Sequence, residues 1–99
     1  MSKKYLYLKP NQRLEILEDN RLETILFVND ISRRGNLTLH KHRVGNLYIR
    51  VGWERRIHPR VTLHNHGCKH TGRRTHISLE MPASYIYARY DLPTGNQRV

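Results

Sequence analysis

The chain has 99 residues, 18 Lys and Arg against 8 Asp and Glu, and a net charge of +10, so it is the size of one domain and its self-repulsion calls for an anionic partner. Its single cysteine, Cys68, excludes an internal disulfide, no apolar run approaches the roughly 20 residues that span a bilayer, and Met1-Ser2-Lys3-Lys4-Tyr5 lacks the apolar stretch of a signal peptide. The expectation is a protein of the cytoplasm that binds nucleic acid and no membrane.

Apolar residues alternate with polar ones from the start of the chain: Leu6 and Leu8, Leu14 and Ile16, Leu26 and Val28, Leu37 and Leu39, then Leu47 with Ile49 and Val51. Ile77 and Leu79, and Tyr85 and Tyr87, continue the pattern. Period-two alternation predicts strands with one buried face, and helical periodicity is hard to find. Turn signals lie at Pro10-Asn11, Asp19-Asn20, Gly35-Asn36, Gly45-Asn46, His66-Gly67 and Thr71-Gly72, residues that accept positive φ. Six or seven short antiparallel strands in one all-β, sheet or barrel-like domain follow. Beyond a shared Gly-Asn-Leu the chain shows no internal repeat, and Pro93-Thr94-Gly95 opens a tail expected to fray.

The charge is concentrated. Residues 1–32 are neutral, as are 77–99, whereas Arg33 to His76 holds eleven Lys or Arg, all seven His and one acid, Glu54. Leu37, Leu39, Leu47, Ile49, Val51, Trp53, Val61 and Leu63 run through this block, so it reads as basic strands rather than a disordered tail.

The segment from His76 through Pro82, Tyr85, Tyr87 and Arg89 to Leu92 resembles the closing strands of the CsrA/RsmA carbon-storage-regulator family. There, too, an alternating strand reaches a proline, with apolar residues three and five positions later and an arginine two further on. Leu6 to Ile16 is similar to the family's first two strands, although Pro10-Asn11 stands where members carry two arginines and a Gly-Glu pair. Thr24 to Leu39, with Gly35-Asn36, resembles the third strand and the turn into the fourth. On this register residues 40–75 are a basic β insertion; a competing register uses Gly45-Asn46 and Pro59 to His64 as turn and closing strand.

The resemblance implies an interlocked homodimer in which the first strand of one subunit lies beside the last strand of the other, each edge binding a GGA-containing hairpin loop of messenger RNA and affecting translation. It implies contacts from Leu8, Lys9 and Arg89, with Arg13 substituting for the absent loop arginines. Arg89 has the planar fork that reads guanine O6 and N7, or else it pairs with Asp91 or Glu80. Arg55, Arg56, Arg60, Lys69, Arg73 and Arg74 would meet phosphates without sequence preference. The tyrosines at the two ends suit cross-strand packing or base stacking, and Trp53, among Arg50, Arg55 and Arg56, suits stacking or anchoring.

His64, His66, Cys68 and His70 share one face of a strand, but flanking cations argue against zinc, and no metal or cofactor is expected. No nucleophile with an adjacent base and no phosphate-binding glycine loop stands out, so no catalysis is expected. A second expectation is a small basic inhibitor, bacterial or phage in character, that binds an acidic protein.

Overall fold

The computed structural model describes residues 1–68 and 73–93, which form nine strands and no helix. They are β1 (Ser2–Leu8), β2 (Gln12–Glu18), β3 (Arg21–Ile31), β4 (Leu37–Lys41), β5 (Gly45–Ile49), β6 (Glu54–His58), β7 (Val61–Gly67), β8 (Thr75–Met81) and β9 (Tyr85–Asp91). Among the described residues no helix is long and apolar enough to cross a membrane.

All pairings are antiparallel, in a four-stranded sheet of order β1-β8-β7-β6 and a five-stranded sheet of order β5-β4-β3-β2-β9. The alternating residues face inward from both sheets: Leu6, Leu8, Leu14, Ile16, Leu26, Leu39, Ile49, Leu63, Ile77 and Leu79 are all buried in one core. Each such side chain contributes on the order of 1.5–3 kcal/mol by leaving water. The sheets stay open and form no closed barrel, because β1 and β6 end one and β5 and β9 end the other.

Local chemistry sets the turns. Asp19 and Asn20 both have positive φ, 50° and 66°, which twists the two-residue loop between Glu18 and Arg21 to match the strands it joins. Gly35, at φ +94°, packs so closely that a Cβ there would lie 2.8 Å from the Cys68 backbone nitrogen. Val51, expected to extend the strand of Ile49, instead lies in an exposed turn, since Gly52 at φ +87° reverses the chain.

The two sheets share one plan. Exchanging β1 with β5, β2 with β6, β3 with β7 and β4 with β8 converts β1-β8-β7-β6 into β5-β4-β3-β2, which is the second sheet without β9. Residues follow: Leu6-Tyr7-Leu8-Lys9 corresponds to Leu47-Tyr48-Ile49-Arg50, buried and exposed in the same alternation. Asn11 N donates to Val28 O at 3.0 Å, and at the matching place Gly52 N donates to Asn65 O at 2.8 Å. The chain therefore builds two halves on one strand plan with exchanged first strands, β1 joining β8 of the second half and β5 joining β4 of the first. Residues 40–75, expected as an insertion, hold β5, β6 and β7, which are built into both sheets and supply Leu47, Ile49, Ile57, Val61 and Leu63 to the core.

β9 has no counterpart, so β6 keeps an open edge among the described residues. Arg55 pairs in register with buried Leu63 and so leaves β6 on the core side, yet it is exposed, whereas Leu14 at the matching place in β2 is covered. A charge turned inward on an edge strand blocks pairing with further strands.

Candidate nucleic-acid interface

The free edges of β1 and β9 meet along one side of the molecule. Leu6 and Leu8 anchor β1 in the core, which turns Tyr5, Tyr7 and Lys9 outward. Tyr85, at the base of β9, is buried and fixes that strand, while the exposed Arg89 reaches across the seam and its Nη1 donates to the carbonyl oxygen of Tyr7. A cleft of about 500 Å³ opens there, lined by Tyr5, Tyr7, Lys9, Arg74, Tyr87 and Arg89 among others.

Polar groups fix the floor of the cleft. Gln12, buried in β2, donates from Nε2 to Asp91 Oδ1 at 2.8 Å and accepts from Lys9 N at 2.8 Å through its Oε1. Leu92 N donates to Asn11 O at 2.8 Å, which ties the end of β9 to the β1–β2 loop. Asp91 is thereby engaged by an amide, and Arg89 enters no ion pair among the described residues. One guanidinium N–H is spent on Tyr7, which orients the group and leaves four donors for a ligand. Arg74 places its guanidinium 5.0 Å from the Tyr7 ring centre, adding a third cation to the cleft beside Lys9 and Arg89.

The other expected contacts are distributed differently. Leu8 is fully buried, so only its backbone reaches the edge. Arg13 leaves β2 on the opposite face from Leu14, where its Nε lies 3.1 Å from Glu15 Oε2 and its guanidinium sits 4.7 Å from the Tyr90 ring centre. Strand alternation keeps it out of the cleft. Arg55 and Arg56 on β6 and Arg60 in the β6–β7 turn are exposed at the far edge of the four-stranded sheet. Three strand spacings, about 14 Å, separate that edge from β1. Arg73 is exposed beside Arg74, and Lys69 lies outside the described residues, as do His70 and the Thr71-Gly72 turn.

The outer face of the four-stranded sheet carries rings that the sequence left unassembled. Tyr7 and His76 stand opposite each other with ring centres 4.8 Å apart; His76 lies 5.7 Å from Tyr5 and 5.5 Å from His66. His66 Nε2 is 2.8 Å from Ser78 Oγ. Its pKa is lowered below 6.5, first by desolvation and then by the charges of His76, His64 and Lys3. Among the described residues no group of three or more His, Cys, Asp or Glu could hold a metal ion.

Asn65, between the two histidines, points the other way and is buried. Its Nδ2 donates to Gly35 O at 2.8 Å and Ile49 O at 2.9 Å, and its Oδ1 accepts from Gly67 N at 3.1 Å and Thr75 Oγ1 at 2.6 Å. One amide thus ties together both sheets.

No family model, no curated protein and no solved structure matches this chain.

Proposed function

We propose that the chain is an RNA-binding regulator of translation, akin to the CsrA/RsmA family, whose composite site for a GGA-type single-stranded loop is completed within one chain. The observation that carries this reading is the meeting of β1 and β9, with Arg89 bridging the two edges beside Lys9 and Arg74. In the family the resemblance implies, that juxtaposition requires two subunits. Here the shared strand plan of the two halves and their exchanged first strands supply it intramolecularly, and among the described residues one closing strand, β9, completes one such cleft.

The chemistry suits an exposed loop. Arg89 supplies a planar fork for a guanine edge, the open edge of β1 supplies backbone groups, and the cations meet phosphates. Titrating a GGA hairpin against a scrambled hairpin of equal length is the test. A preference for the GGA loop, with one RNA bound per 11.8 kDa chain in native mass spectrometry, is expected. Equal affinity for both RNAs, or none for either at physiological salt, overturns the proposal.

The far-edge arginines contribute without selectivity. Changing Arg55, Arg56 and Arg60 together to Ser is expected to weaken both hairpins alike and to flatten the slope of log K against log salt by about 2, at roughly 0.7 per phosphate contact. A salt series read by fluorescence anisotropy measures it, and an unchanged slope removes these residues from the interface.

A further inference from the structure

Tyr7 belongs to two surfaces at once. Its carbonyl holds Arg89 in the cleft, while its ring opens a band across the outer face of the four-stranded sheet, through His76 on β8 to His66 and His64 on β7. Tyr5 joins the band from β1, with its ring centre 5.7 Å from His76 at an interplanar angle of 27° and 6.0 Å from His66. His64 and His66 stack at 6.2 Å with an interplanar angle of 12°. The band crosses two strand spacings, about 10 Å, with no apolar lid over it among the described residues. Tyr5 remains 59 % exposed and Tyr7 39 %, so ring area is left for a ligand.

An exposed row of rings in the middle of a sheet is poor design for a surface that meets only water, and rings on a sheet are what unpaired bases stack on. We infer that this outer face is a second contact surface for single-stranded RNA, on which nucleotides flanking the loop in the β1/β9 cleft stack on Tyr5, His76 and His66. The inference rests on the RNA-binding reading given above. Charges around the band suit a polyanion at both ends: Lys3 on β1, Arg74 before β8 and Arg56 on β6 face the same side, against Glu80 on β8 and Glu54 on β6. Glu80 stands opposite both Lys3 and Thr62, and Glu54 Oε2 lies 2.8 Å from His64 Nε2, so both acids sit beside a basic partner on their own sheet.

The imidazoles add a proton dependence. In the free protein desolvation of His66, and after it the charges of His76, His64 and Lys3, disfavour its charged form. A phosphodiester laid across the band favours that form, so RNA binding is expected to take up a proton as the pH falls through the region below 6.5.

The test uses the full chain and two RNAs: a GGA hairpin alone, and the same hairpin with four unpaired nucleotides on each side. The flanks are expected to tighten binding roughly 10-fold, since each base stacked on an aromatic side chain is a substantial contribution. The flank gain is expected to grow between pH 7.5 and pH 5.5. His66→Ala is expected to abolish the gain while leaving affinity for the bare hairpin unchanged; Tyr5→Ala, whose ring also lines the cleft, is expected to abolish the gain as well, and Tyr5→Phe to keep it. Arg89→Ala behaves differently, weakening both RNAs together. Equal affinity of the two RNAs for the unaltered protein, or a gain that survives both alanine variants, overturns the second surface and leaves the cleft reading standing. Conversely, an unstructured strand whose binding depends on His66 but not on Arg89 supports the platform while removing the cleft.

Discussion

Asn65→Ala is expected to cost about 4 kcal/mol of folding stability, four hydrogen bonds at roughly 1 kcal/mol each, from a total of about 5–15 kcal/mol for a domain of this size. The amide uses its full capacity on the Gly35 and Ile49 carbonyls, the Gly67 N–H and the Thr75 hydroxyl, all away from water. Removing it strands those groups in the core, where a polar atom without a partner costs more than its bond contributed. Asn65→Asp offers no rescue, because a carboxylate repels the two carbonyls that need donors and brings a charge into the core. Urea unfolding measures the loss as a fall in midpoint at unchanged slope. A midpoint within experimental scatter of the unaltered protein would mean that the two sheets hold together without this residue.

The second large effect is on binding. Arg89→Ala is expected to reduce affinity for a GGA hairpin by roughly 30- to 150-fold, the loss of a bidentate contact worth about 2–3 kcal/mol. Arg89 is exposed, so stability is expected to change little. Arg89→Lys separates charge from geometry: it keeps the cation but not the fork, and is expected to recover only the part of the affinity that a scrambled hairpin shares. Anisotropy titrations at one fixed salt concentration compare the three proteins on both RNAs. Full recovery by lysine would reduce Arg89 to a phosphate contact.

Much of the fold was legible because burial follows alternation. Leu6 and Leu8, Leu14 and Ile16, and Ile77 and Leu79 each mark a strand and its inward face, and Asp19-Asn20 marks a turn with the φ values it adopts. β6 was obscured by its edge position: of its five residues only Ile57 is buried, and Glu54, Arg55, Arg56 and His58 fill the remainder. β7 breaks its apolar alternation at Asn65, where a satisfied amide replaces an apolar side chain. The shared plan of the two halves is hidden in the sequence because sheet pairing tolerates substitution, with Leu14 matched by Arg55, Val28 by Asn65 and Leu37 by Thr75. Only Leu6-Tyr7-Leu8-Lys9 and Leu47-Tyr48-Ile49-Arg50 keep a visible likeness.

The site was legible in the same uneven way. Arg89 could be singled out from its place in the closing strand, and Leu14 facing the core already required Arg13 to face away from the cleft. The cation from Arg74 and the ring band depend on β8 lying between β1 and β7, a neighbourhood that arises only when the second half of the chain closes on the first.

Among the described residues, nine strands where a symmetric pair of halves would have ten leave one complete β1/β9 cleft, and with it, on the proposed reading, a valency of one. On the proposed reading it titrates its targets hyperbolically, a single transcript loop per copy, with no bridging of distant hairpins and none of the avidity that two linked sites confer. Regulation by such a protein tracks its concentration in proportion, and a competitor RNA with one good loop is enough to disarm it.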